Sequence, residues 1–99
     1  MDAQTILIEL QTLRSGKPEG ALMRLRELSD AVEQAMLADR RSSAGIAAAL
    51  TQQAITYFSD GIHHELNRPE VNRRDQPEIN RRFAIAIKRA EEWTMASSM

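Results

Sequence analysis

Two stretches of this chain step their apolar residues by alternating fours and threes, and that rhythm leaves room for little besides packed helices. In the first stretch Ala21, Leu25, Leu28, Val32 and Ala35 keep the rhythm, and Leu22 and Met36 widen the stripe. In the second, Ile79, Phe83, Ala86, Ala90 and Trp93 keep it, with Ile87 beside them. Such spacing gathers every member on one face of an α-helix, whereas a strand would scatter them over both faces. The first stripe reads as the seam of a bundle or a short coiled coil, too short for an extended one.

The remaining apolar residues extend the pattern. Ala3, Ile6, Leu7, Leu10 and Leu13 share one face, which predicts a first helix over 3–13. Ile8 sits nearly opposite that face. Gly16 suits a helix terminus, and Pro18 suits the first turn of a second helix over 18–39. Ser42 and Ser43 offer hydroxyl caps to a third helix over 44–66. Its broad apolar face is expected to include Ile46, Ala47, Leu50, Ala54, Tyr57, Phe58, Gly61 and Ile62. Its other face is uncharged over two turns, which places this helix at the centre of the bundle. Asp60-Gly61 marks a point where it is expected to kink or break. A fourth helix is predicted over 76–95, supported by i,i+4 pairs Glu78–Arg82 and Lys88–Glu92.

Ninety-nine residues make one domain, 1–99. Fourteen are alanine and only four are aromatic, so the core is thin and suits close-packed helices. The predicted fold is all-α, a compact bundle of about four helices completed by dimerisation. There is no cysteine, which excludes disulfides and thiolate metal sites and fits a reducing compartment. No apolar run reaches the 18 or so residues of a membrane span. Met1-Asp2-Ala3-Gln4 lacks the basic start of a secretory signal, so a cytoplasmic location without membrane attachment is expected.

Net charge is −1, unevenly placed. Residues 1–39 carry seven acids and four bases, and residues 68–89 carry seven bases and three acids. The basic end contains an eight-residue phrase written twice. Asn67-Arg68-Pro69-Glu70-Val71-Asn72-Arg73-Arg74 is followed at once by Asp75-Gln76-Pro77-Glu78-Ile79-Asn80-Arg81-Arg82. Asn67 with Glu70, and Asp75 with Glu78, both fit a capping box at a helix start. The second copy opens the fourth helix, and the first would form a capped turn or short helix over 67–75. This structural job explains most of the repeat. The arginines closing each copy are left over, and their planar donors suit phosphates or an acidic protein surface.

Those arginines continue into a basic face. Arg81, Arg82, Ile85, Lys88 and Arg89 lie on one side of the fourth helix, away from its seam. With Arg73 and Arg74 they are the candidate partner-binding residues. An aliphatic residue rimmed by cations fits a protein contact better than a phosphate track. The spare apolar residues Ile8, Met23 and Leu37 are candidates for a dimer or second contact surface. Nucleic-acid binding through residues 68–89 is the alternative, but the pI of about 6.1 lies far below that of dedicated nucleic-acid binders.

Catalytic chemistry finds little support. Asp60, His63, His64 and Glu65 are the only grouping that resembles a metal or acid–base cluster. Zinc usually takes three or four protein ligands, and only Asp60 and His64 share a face here. The plainer reading is one surface histidine and one at the core edge. No Ser–His–Asp arrangement or glycine-rich phosphate loop occurs at a usable spacing. A helix-turn-helix with its turn at Ser59-Asp60-Gly61 would leave a recognition helix that is too short and lacks arginine. The sequence therefore predicts a small non-enzymatic interaction protein without cofactor or metal. It would act as a regulator, inhibitor or assembly adaptor, binding another protein and forming a homodimer.

Overall fold

The computed structural model describes residues 2–13, 18–39, 41–67 and 76–98. They form four α-helices: α1 (Ala3–Leu13), α2 (Pro18–Ala38), α3 (Ser43–Leu66) and α4 (Gln76–Ser97). No strand occurs among the described residues. The predicted spans agree with these bounds to within a residue or two. Gly16, Arg68, Glu70, Val71, Arg73, Arg74 and Asp75 lie outside the described residues, and so does the expected turn or short helix that follows Asn67.

The two rhythmic stripes form the core. Leu25, Leu28 and Val32 of α2 are fully buried, with Ala21 nearly so. Ala86, Ala90 and Trp93 of α4 are buried, and Ile79, Phe83 and Ile87 pack partly against them. Ala3, Ile6 and Leu10 supply the face of α1. The rings of Phe58 and Phe83 meet edge to face with centroids 5.3 Å apart, an arrangement that suits aromatic quadrupoles. Each of the larger aliphatic side chains contributes about 1.5–3 kcal/mol by leaving water.

α3 packs closely against both α2 and α4, as its small residues predict. α1 lies mainly against α4 and touches α2 less. Alanines and glycines let the backbones approach: Gly45, Ala48, Ala54 and Gly61 are all buried on α3. The bundle measures 47 × 19 × 19 Å. α1 has 11 residues and α3 has 24, so α1 flanks less than half of the long axis.

Local caps follow the sequence at some ends and depart from it at others. Ser42 is the N-cap of α3, in extended conformation, and its Oγ accepts from the Gly45 N–H at 3.0 Å. Asp2 does the same for α1, accepting from the Thr5 N–H at 2.8 Å. Hydrogen bonding from the Thr5 side chain, and then from its N–H, holds the Asp2 carboxyl below its ordinary pKa. Asn67, expected to start a helix, instead ends α3. Its backbone is in the right-handed helical region, and its N–H donates to the His63 carbonyl. An N-cap needs an extended residue, so Asn67 does not have that geometry.

The break expected at Asp60-Gly61 is absent, because α3 runs unbroken through both. Gly61 is buried, and a Cβ built there would stand 2.8 Å from Cδ of Arg82. Glycine serves here to admit a neighbouring side chain, not to interrupt the helix.

Candidate functional site

The register between α3 and α4 is set by polar contacts at two levels. Near the start of α4, Arg82 Nη1 donates to the Tyr57 carbonyl at 2.9 Å. Its guanidinium lies 4.0 Å from the centroid of the Tyr57 ring, within cation–π range. Further along, the buried Thr51 hydroxyl donates to the carbonyls of Ala47 at 2.8 Å and of Arg89 at 3.0 Å. Arg82 meets Tyr57 and Arg89 meets Thr51, so the two helices run antiparallel.

Glu78 ties the first of these levels together. Its Oε1 accepts from Arg82 Nε at 2.9 Å and from Arg81 Nη2 at 2.7 Å. Its Oε2 accepts from Arg81 Nε at 2.9 Å. The Tyr57 hydroxyl donates to Oε1 at 3.4 Å and accepts a hydrogen bond from Arg81 Nη2. The hydrogen bonds from Arg81, then those from Arg82, hold the Glu78 carboxyl down at about 2. The Arg81 guanidinium is correspondingly held above its ordinary value, first by Glu78 and then by Tyr57.

The capping box expected between Glu78 and Asp75 involves a residue outside the described ones. Both oxygens of Glu78 accept from cations one turn further along α4. Arg82 was expected on a solvent-facing basic surface, but its side chain is only 21% exposed and sits in the α3–α4 seam. The Lys88–Glu92 pair is also corrected: Glu92 pairs with Arg89 at 3.3 Å instead. Glu78–Arg82 forms as expected.

Arg81 and Lys88 are exposed, and Ile85 and Arg89 are partly buried. Ile85 is therefore less available than a spare surface residue. Ile8, Met23 and Leu37 are exposed. Ile8 and Met23 adjoin Glu9 and Arg24 in sequence. Those two join α1 to α2 through a two-pronged ion pair, with Arg24 Nη2 to Glu9 Oε1 at 2.7 Å and Nε to Oε2 at 3.1 Å. Ile8 and Met23 thus sit at the same level on neighbouring helices. Leu37 lies fourteen positions beyond Met23 on α2, about 21 Å along the helix, so the three do not form one patch. No ion pair among the described residues joins the acidic half of the chain to its basic end.

Two residues assigned to the core in the sequence are on the surface. Ile46 is 60% exposed and Leu50 is 36% exposed. They share one stripe of α3 with Tyr57, at spacings of four and seven. The same stripe continues through Gln53 and His64, both outside the core. Arg81 binds the Tyr57 hydroxyl, so the α4 stripe of Arg81, Ile85, Lys88 and Glu92 borders it. With the helices antiparallel, Ile85 falls between the levels of Leu50 and Tyr57. The result is one continuous two-helix face, with apolar residues from both helices and cations on the α4 side.

Sequence reasoning missed Tyr57 as the hub of the α3–α4 contact, and Ile46 and Leu50 as surface. One signal was available for the second point. Ile46 and Leu50 lie on a different side of α3 from Ala48, Ile55 and Ile62, so a single core stripe could not hold them all. His64 was placed at the core edge, but both histidines are exposed, and the Asn67 amide lies 3.1 Å from His63 Nε2. No group of three or more potential metal ligands gathers among the described residues. No helix there is long and apolar enough to cross a membrane.

No protein-family model, curated protein or solved structure matches this chain.

Proposed function

We propose that the protein is a small non-enzymatic interaction module, a regulator, inhibitor or assembly adaptor that acts in the cytoplasm by binding another protein. The observation that carries this reading is the exposed pair Ile46 and Leu50 on α3, continuous with Ile85 and the cations of α4. Single exposed aliphatics are ordinary, but a run of them on one face beside charged residues is the usual make-up of a contact surface. Arg81, Arg82 and Arg89 are each held by a carboxylate of α4. That arrangement supports a shaped protein contact more than a phosphate track of free cations.

The test is comparative capture from the native host with the wild type and with Ile46→Glu/Leu50→Glu. Both positions are exposed, so the variant is expected to fold. Loss of the same co-purifying protein supports the reading, and its retention removes this face. A titration against DNA and RNA at low and moderate salt tests the nucleic-acid alternative, for which affinity falls steeply with salt. The proposed homodimer finds support in the exposed Ile8 and Met23, level with each other on α1 and α2. Sedimentation at micromolar concentration tests it, and a strictly monomeric folded protein would exclude it.

A further inference from the structure

We infer that the α3–α4 face takes an acidic amphipathic helix of a partner protein, an inference that rests on the reading of that face as a docking surface. The shape of the face favours a helix. The face is made of two antiparallel helices lying side by side. From Ile46 to Tyr57 it runs eleven residues along α3, about 16 Å, or three turns of a ligand helix. An amphipathic helix presenting apolar residues at i, i+4, i+7 and i+11 matches that length. No strand edge among the described residues offers an extended peptide a ladder to join.

The charge of the face favours an acidic one. α4 carries four cations, Arg81, Arg82, Lys88 and Arg89, against three carboxylates; Glu78 and Glu92 lie toward this face and Glu91 lies beyond Lys88, so the face has an excess of two and the whole helix an excess of one. Lys88 is exposed and has no ion-pair partner among the described residues. Asp60 is the exposed acid of α3 nearest the stripe. It lies on the far side of Tyr57 from Gly61, and so away from α4. Two copies of this chain meeting through the face would set one positive excess against another. A ligand helix with apolar residues along one stripe and acids beside it meets both halves of the surface.

The experiment titrates the isotope-labelled protein with two synthetic helical peptides of about eighteen residues, five turns. Both carry leucine at i, i+4, i+7 and i+11. One carries glutamate beside the leucines and the other lysine. The acidic peptide is expected to shift amides along Ile46–Tyr57 and Arg81–Glu92. It should bind about tenfold more tightly than the basic one, roughly the effect of one favourable charge contact. Lys88→Glu should narrow or reverse that preference. Equal or tighter binding of the basic peptide overturns the inference, as do shifts confined to another face or no binding by either peptide. Displacement of the acidic peptide by a single-stranded oligonucleotide at moderate salt would assign the positive excess to phosphates and also overturn it. If neither peptide binds while Ile46→Glu/Leu50→Glu still loses the captured partner, the acidic-helix inference fails and the docking reading stands. If that variant keeps its partner, the docking reading itself fails.

Discussion

Gly61 of α3 and Arg82 of α4 occupy one another's space: the side chain of Arg82 lies where a Cβ on residue 61 would stand, with Cδ 2.8 Å away. Arg82 cannot move aside freely. It donates to the Tyr57 carbonyl, pairs with Glu78 and lies over the Tyr57 ring. The glycine costs helix stability locally, and the arginine it admits joins two helices.

A double-mutant cycle tests this exchange. Gly61→Ala alone gains about 1 kcal/mol of helix propensity but displaces Arg82. The displaced contacts include a hydrogen bond to a charged group, worth about 1.5–3 kcal/mol. The net expectation is a lower Tm for Gly61→Ala. In an Arg82→Ala background the same substitution should raise the Tm, because the obstacle is gone. Denaturation of the four proteins reads both signs, and an equal effect of Gly61→Ala in both backgrounds contradicts the relationship.

Acid should weaken the same cluster. The folded Glu78 carboxyl titrates at about 2, below its ordinary 4.5, because Arg81 and Arg82 hold its charged form. A depressed carboxylate stabilises the fold fully above its unfolded value. That contribution fades as pH falls from about 4.5 through about 2. Glu9, lowered by Arg24, adds in the same direction. Chemical denaturation from pH 7 to pH 2 should show falling stability with a shallower slope in Glu78→Gln. An unchanged slope removes Glu78 from the acid response.

Thr51 gives a third test. Its hydroxyl is fully buried and bonded to Arg89's carbonyl across the helix pair. Thr51→Val keeps the shape and deletes the donor. The expected loss is about 0.5–1.5 kcal/mol, the net contribution of one hydrogen bond. Lys88→Ala, exposed on α4, should stay within about 0.5 kcal/mol of wild type. Equal losses would place Thr51 outside the α3–α4 contact.

The core stripe of α2 should behave as a packed interior. Leu28 is fully buried between helices, and Leu28→Ala should cost about 2–5 kcal/mol by transfer and cavity formation. Met23→Ala on the same helix, 71% exposed, should change stability little. A comparable loss at both positions would contradict the placement of the α2 seam.

Periodicity made the fold readable, because burial of Leu25, Leu28, Val32, Ala90 and Trp93 follows directly from their spacing. The Ser42 cap was legible for the same local reason. The site was less so. The i,i+4 pair of Glu78 with Arg82 was legible, but its contact with Tyr57, twenty-one positions away, was not. Arg82 reads as a surface cation until Gly61 is placed opposite it. Ile46 and Leu50 resembled core because α3 carries apolar or small residues on several sides, and only its packing against α2 and α4 decides which sides are covered. Contacts between helices are not written in the period of either helix.

The most direct test of the central claim is comparative partner capture with Ile46→Glu/Leu50→Glu, with helicity and Tm measured on the same preparations. The α3–α4 face predicts that the variant matches wild type in helicity and Tm and loses the co-purifying protein. A variant that remains folded and retains that protein undiminished would contradict the claim.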